Sequence, residues 1–304
     1  MAVTGISTLK YQEGNELMPS AFVDLHTHTT ASDGTCTPGE NVKLAAEAGL
    51  AALAITDHDT FGGLSEALKA GRQVGIEVVP GVEISTAWQG QDIHILGYFL
   101  EWEDAGVQSR LADLRDVRAK RNERLAERLR QLDMPVTLAD VERLARANGA
   151  TGSVGRPHFA EWLVQHGYCA DIREAFDKYL GKDGAAYVQV DRISPFAAID
   201  FIHESGGAAV IAHPGLYDAD ELVEQLTHHG ADGIEAAHAD HDDRQEQHYR
   251  DMAERSKVLV TAGSDFHGYR NGEVFHAPLG SRRISIEVVR ELERVAIRYK
   301  GIRR

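Results

Sequence analysis

The sequence predicts an α/β fold of barrel-like layout, interrupted by a helical insertion. Three observations carry this expectation. Short runs of apolar strand-formers alternate with helical patterns on both sides of the chain's middle. Histidines and carboxylates recur at or near the C-terminal ends of the predicted strands, where α/β proteins assemble their sites. Between residues 105 and 190 the alternation stops and the pattern is mostly helical.

Phe22, Val23 and Leu25 form the first strand, which opens into a polar loop ending at Gly34. Residues 38–48 read as a helix with Gly49 as its stop. A second strand spans 50–55, a helix 64–74 stopped by Gly75, and a third strand 76–82. Residues 92–100 alternate as a half-exposed strand does. This rhythm predicts parallel strands covered by helices. Gly149, Gly152 and Gly155 punctuate the helical insertion, and the next strand is expected at 186–190. Helices at 199–203, 221–228 and 244–255 then alternate with strands at 208–212, 233–237 and 258–262. An amphipathic helix at 286–299 is expected on the outside of the fold. The division that follows is a loose tail (1–20), a first barrel part (21–100), a helical cap (101–190) and a second barrel part (191–304). About seven strands fit a barrel, but an open doubly wound sheet places its sites by the same rule. Periodicity alone does not decide closure.

His26 and His28 sit two apart at the end of the first strand, so both side chains leave one face, and Asp33 follows on the loop. The pattern recurs. His58 lies in TDHDT after the second strand, Glu83 in GVEIS after the third, and His94 in HILGY. His213 closes AAVIAHPG, and Asp265 and His267 close VLVTAGSDFH. Nine mixed imidazole and carboxylate donors exceed what one ion needs and suit two or three ions with a bridging carboxylate, for which Glu83 is the choice. Nitrogen and oxygen donors without thiolate suit Mn, Fe or Zn and disfavour calcium. Asp57 and Asp59 flank His58 and are expected either to support the imidazoles or to cap a turn. His238 and His241, after the strand at 233–237, are candidates for substrate contact or leaving-group protonation. His166, His203, His228, His229, His248 and His276 lack such placement and read as surface or structural.

Bulk properties narrow the function. A net charge of −15 over 304 residues argues against coating duplex DNA or an anionic membrane, while leaving room for a local basic pocket. Cys36 and Cys169 lie far apart without CxxC spacing, so a disulfide framework is not expected and a reducing cytoplasm fits. No apolar run has membrane-spanning length, and residues 1–20 lack a signal core.

In order along the chain, DLHTHTTASDG, TDHDT, GVEIS, HILGY, AHPG and GSDFH resemble the PHP (polymerase and histidinol phosphatase) family. The likeness spans residues 21 to about 285 and is greatest to the TrpH-like group, which includes 3',5'-nucleoside bisphosphate phosphatases and 5'-to-3' exoribonucleases. The resemblance implies a distorted (β/α)7 barrel with a cap, and three metal ions held at nine ligand positions. Those positions correspond to His26, His28, Asp33, His58, Glu83, His94, His213, Asp265 and His267; Asp33 stands where some relatives carry His.

The insertion adds a second signal. From 110 to 130 there are eight basic and four acidic residues, and Arg118 and Arg121 interrupt an otherwise apolar helical stripe. A solvated helix with i,i+4 pairs also carries such charge, but inward arginines favour phosphate, whose oxygens match the guanidinium fork. The resemblance places Arg121, Asn122 and Arg124 (RNxR), and Arg156 and His158 (RxH), in the substrate region. The expected activity is metal-dependent hydrolysis of the 3'-phosphate of a nucleoside 3',5'-bisphosphate by a metal-bridging hydroxide, with Mn the favoured ion. Glu83, Asp265 and His213 are the residues expected at the chemistry. Alternatives are exoribonuclease action on short RNA and a histidinol-phosphatase-like activity; a non-enzymatic metal-binding module is disfavoured because all nine donors are present. The expected partner is a small phosphorylated nucleotide or short RNA.

Overall fold

The computed structural model describes residues 21–270 and 272–302. The tail expected at 1–20 lies outside the described residues. The chain begins with β1 (Phe22–Asp24), α1 (Pro38–Glu47), β2 (Ala52–Ile55), α2 (Leu64–Val74), β3 (Glu77–Trp88) and β4 (Gln91–Tyr98). Helices α3 (Ala105–Gln131), α4 (Leu138–Ala147), α5 (Arg156–Gln165) and α6 (Ile172–Ala175) follow, the last running into a π turn at Phe176–Leu180. Then come α7 (Pro195–Glu204), β5 (Ala208–Ile211), α8 (Asp220–His229), β6 (Gly233–His238), α9 (Asp243–Ser256) and β7 (Leu259–Gly263). The chain ends with a two-residue ribbon, β8 (Tyr269–Arg270) and β9 (Glu273–Val274), then β10 (Ile284–Ser285) and α10 (Glu287–Ile302).

Eight strands form one sheet in the order β10-β1-β2-β3-β4-β5-β6-β7. It nearly closes into a barrel, because Leu25 N donates to Ala262 O at 3.1 Å and Thr27 bridges Phe266 in parallel. Closure brings backbones very near one another. A Cβ on Gly263 would stand 2.2 Å from His26 Cβ and 2.6 Å from Glu235 Oε1, so only glycine fits there. Alternation along the strands divides the core in two. Leu53, Ile55, Val78, Ile95 and Ile211 pack outward with the surrounding helices. Val23, Leu25, Ala54, Val79, Leu96 and Val210 face inward.

Three features depart from the sequence expectation. Strand β4 runs antiparallel to both neighbours, because β3 and β4 form a hairpin. Its two-residue turn, Gln89 and Gly90, has φ of 48° and 82°, the left-handed pair that matches strand twist. No strand forms at 186–190; this stretch crosses the hairpin with isolated bonds such as Tyr187 Oη to Gly90 O, 3.1 Å, and never builds a ladder. Helix α10 keeps an exposed face, with Ile297 59% exposed, as an amphipathic outer helix does, but it does not flank the strands like the other helices. Val289 and Leu292 join the inward cluster, so the helix closes the barrel end remote from the histidines.

Helices α3–α6 share an apolar cluster of their own, built on Leu125, Leu129, Val141, Phe159, Trp162 and Leu163. Helix α3 reaches back over the barrel and presents Arg118, Arg121 and Asn122 on its buried face. Both cysteines are free. No helix among the described residues is long and apolar enough to cross a membrane.

Candidate metal centre and anion cavity

The nine expected donors converge over the mouth of the barrel. Glu83 is their centre. Its Oε2 lies 3.0 Å from His58 Nδ1, 3.2 Å from His28 Nε2 and 3.5 Å from His26 Nε2. Its Oε1 lies 2.7 Å from His94 Nδ1 and 3.1 Å from His213 Nε2. Asp265 Oδ1 approaches His28 Nε2 at 3.1 Å and His26 Nε2 at 3.4 Å, while Asp33 Oδ1 approaches His267 Nε2 at 3.3 Å. Glu83 and His94 lie mid-strand rather than at strand ends. The hairpin β3–β4 overshoots the rim, and the pairing of β3 with β2 stops at Ile55–Pro80, so Glu83 still stands at the barrel's mouth.

The electrostatics of this cluster are those of a cation site. Burial would raise Glu83, but the imidazoles of His94, His58 and His26 hold it well below the usual carboxylate range. Burial opposes protonation of His28, yet Asp265 and Glu83 outweigh it and lift its pKa to about 10. At His58 and His267 burial wins instead, holding the first well below its usual range and the second at about 4, so these rings stay neutral, the form that ligates a metal. Several buried donor atoms also have no hydrogen-bond partner: Nε2 of His26 and His28, Nδ1 of His58 and His213, and Oδ1 of Asp33. Orphaned atoms at that depth are costly unless a further ligand engages them. Overlapping sets whose ligand atoms lie within 4.8 Å of one another include His28–Asp33–His58–His267, His26–His28–Asp265, His26–Glu83–His213 and His58–Glu83–His94. The donor set fits divalent ions.

Supporting contacts fix these rings. His26 Nδ1 meets Glu235 Oε1 at 3.0 Å, which sets its tautomer and leaves Nε2 for the cluster. Asp57 binds Thr29 N, Thr29 Oγ1 and Ser32 Oγ, anchoring the loop that carries Asp33; Ser32 Oγ in turn lies 3.4 Å from His28 Nδ1. Asp59 accepts from Ser85 N and Arg118. Neither carboxylate touches an imidazole, so turn anchoring describes both better. Asp265 and His213 hold left-handed φ of 52° and 27°, a strain that turns their side chains back over the strand ends.

A cavity of about 240 Å³ joins the cluster to the cap. Arg118, Arg121, Arg156 and Arg192 line it opposite Asp33, His58, Glu83, His94 and His267. Three of these arginines are matched to acids. Arg118 bonds Asp59 Oδ2 at 3.1 Å, and Arg156 and Arg192 share Asp92 at 2.5 and 2.9 Å. Arg121 bonds only Asn122 Oδ1 and has no ion-pair partner among the described residues. Burial, reinforced by Arg192, Arg156 and Arg118, pulls its guanidinium well below its usual range. Asp92 offsets this only in part, so positive charge is concentrated at this wall of the cavity.

Other expected contacts fall elsewhere. Arg124 is exposed and does not line the cavity; it falls just outside the buried stripe of α3 that holds Arg118, Arg121, Asn122 and Leu125. Asn122 lies beneath Arg121 and donates to Val154 O at 2.7 Å. His158 is buried at the start of α5, where its Nδ1 accepts from Gly155 N. His238 is fully buried, with Nε2 3.6 Å from Asp265 Oδ2, and His241 holds Ala236 O and Gly215 N. Neither lines the cavity. His276, read from sequence as structural or surface, does line it, with Nδ1 3.6 Å from Asp240 and 3.7 Å from Asp265. Glu235 and Arg192 were missed. Glu235 left one legible trace, a carboxylate within the apolar strand GIEAAH; Arg192 sits in irregular chain and left none.

The comparisons with known proteins agree with this geometry. The PHP domain model matches residues 24–277. Over 255 residues the chain is 38% identical to the 5'-3' exoribonuclease Rnm of Salmonella typhimurium, covering 82% of this chain and 86% of that one. Over 261 residues it is 35% identical to the 3',5'-nucleoside bisphosphate phosphatase of Chromobacterium violaceum, covering 83% and 89%. A solved structure from Bifidobacterium adolescentis, described as a metal-dependent phosphoesterase, superposes with a TM-score of 0.81 at 32% identity, covering 90% of this chain and 96% of that one. With its metal-ligand-rich barrel mouth and these likenesses along most of its length, the chain belongs to the PHP domain family of metal-dependent phosphoesterases.

Proposed function

We propose that the protein hydrolyses the 3'-phosphate of a nucleoside 3',5'-bisphosphate, with three divalent ions, Mn foremost, at the histidine–carboxylate cluster. The observation that carries this reading is the unpaired, buried Arg121 across one small cavity from Glu83. One end of the cavity suits the phosphate to be cleaved and the other a phosphate that is only held.

The roles divide among named side chains. Glu83, whose two oxygens face different histidines, would hold the ions together with His26, His28, Asp33, His58, His94, His213, Asp265 and His267. Bound ions of this kind supply Lewis-acid activation of water and of the phosphoryl group at neutral pH. Arg121 and Arg156 grip the second phosphate, and Asn122 holds Arg121 in place through its link to Val154. Asp92 keeps Arg156 and Arg192 oriented toward the cavity. No acyl or phosphoryl enzyme intermediate is required by this arrangement. The exoribonuclease named among the relatives supports a second reading, in which the same pocket takes the 5'-phosphorylated end of short RNA.

Arg121→Ala and Arg156→Ala test the proposal. A lost charge-assisted contact costs about 1.5–3 kcal/mol, so kcat/KM for a 3',5'-bisphosphate falls roughly ten- to a hundredfold. An aryl monophosphate, which lacks the second phosphate, changes by less than about twofold on this reading. Equal, small losses on both substrates would reject it.

A further inference from the structure

A second cavity of about 540 Å³ adjoins the catalytic one and shares Pro157, Phe176 and His276 with it. Its remaining walls include Val274 and Phe275 from the ribbon after β7 and Ile172 from the cap. The two chambers differ in chemistry. The inner one carries four arginines and most of the candidate metal ligands, whereas the outer one sets Pro157, Ile172, Phe176, Val274 and Phe275 among charges of both signs.

We infer that the outer cavity holds the heterocyclic base of the nucleotide whose phosphates occupy the inner one. This deepens the proposed function and rests on it. Several observations converge. At about 240 Å³ the inner cavity falls below the roughly 300–1,000 Å³ of pockets that enclose a whole small-molecule ligand, so a nucleotide must extend beyond it. The only apolar groups common to both chambers are Pro157 and Phe176, which stand at their junction. Phe176 begins the π turn at Phe176–Leu180, a rare irregularity that is frequent at functional sites. Phe275 is half-buried, with the Arg270 guanidinium 4.1 Å from its ring centre and His276 against its edge, so its orientation is fixed. Val274 is 36% exposed on the same wall, an apolar surface that burial of a flat ring would remove from water.

Charge argues for a base rather than another phosphate. Asp171 and Glu273 balance Arg173 and Arg270 around the outer cavity, so it lacks the uncompensated positive field of Arg121. Stacking surface accepts a base through its π face, which a sugar phosphate lacks. The site therefore selects nucleotides over sugar phosphates.

Titration calorimetry on the Mn-loaded enzyme tests the inference with adenosine 5'-monophosphate and ribose 5-phosphate, which share the held phosphate and differ in the base. Wild type is expected to bind the nucleotide at least about tenfold more tightly. Phe176→Ala and Val274→Asp should each bring that ratio to within about twofold of unity while ribose 5-phosphate affinity stays constant. Val274 is exposed on a two-residue strand, so its variant does not depend on repacking the cap. A wild-type ratio near one, or a ratio untouched by both variants, overturns the base site. Arg121→Ala separates this from the phosphate reading: it should weaken both ligands alike. If ribose 5-phosphate binding ignores Arg121 while the base ratio persists, the phosphate assignment fails and the base site stands.

Discussion

Glu235 places both carboxylate oxygens against His26 Nδ1, at 3.0 and 3.1 Å, deep in the barrel. Glu235→Gln keeps the shape but removes the charge that favours an Nδ1–H tautomer. Metal affinity should drop by about 10- to 100-fold, as is usual for such supporting carboxylates. A metal titration of the variant indistinguishable from wild type would show that His26 needs no such partner. Residue-scale chemistry was legible in the sequence where it is local. His26 and His28, or Asp265 and His267, advertise themselves by spacing within one strand end. The partners that tune them come from other strands, and sequence distance hides them: Glu235 is 209 residues from His26. Arg124 is three residues from Arg121 and so lies on the neighbouring helix surface, yet the edge of the buried stripe passes between them, which no motif string records.

At the scale of elements, the cap is tied to the barrel at two places. Thr151 N and Gly152 N donate to Thr30 O at 2.7 and 3.1 Å, clamping the loop that bears Asp33. Arg270 adds a bond to Asp33 O at 2.8 Å and an ion pair with Glu161 of α5. A Cβ at Gly152 would stand 1.8 Å from Ala31 O, so Gly152→Ala must push the clamp apart. We expect about 1–3 kcal/mol of destabilisation and a lower metal content, read by melting and elemental analysis. Full metal retention would show that the cap does not hold the Asp33 loop. The second tie is Asp92 with Arg156 and Arg192. Burial would raise the Asp92 pKa, but the two arginines override it and hold it below the usual range. A depressed carboxylate stabilises the fold above its unfolded pKa of about 3.9, and the stabilisation is lost as pH falls below that value. Asp92→Asn should therefore remove up to about 1.4 kcal/mol per pH unit from the acid limb of stability measured by denaturant unfolding. An unaltered acid limb would mean the clasp contributes nothing. The β3–β4 hairpin, which supplies Asp92, shows why strand direction escaped the sequence. Apolar alternation is the same for parallel and antiparallel strands, and the Gln-Gly turn was the only local clue.

Over the whole molecule, negative charge and a positive cavity coexist because burial localises each. The net charge is −15, yet the space between cap and barrel is framed by four arginines. Closure of the barrel, left undecided by periodicity, follows from contacts between its first and last parallel strands and needs Gly263. The central claim is that the cluster cleaves one phosphate of a nucleotide while the arginines hold another. Phosphorus NMR of adenosine 3',5'-bisphosphate turnover by the Mn-loaded enzyme tests it most directly. The account predicts release of the 3'-phosphate and accumulation of adenosine 5'-monophosphate, with adenosine 3'-monophosphate, lacking the held phosphate, turned over at least about tenfold less efficiently. Release of the 5'-phosphate, or equal efficiency on the two substrates, would contradict it.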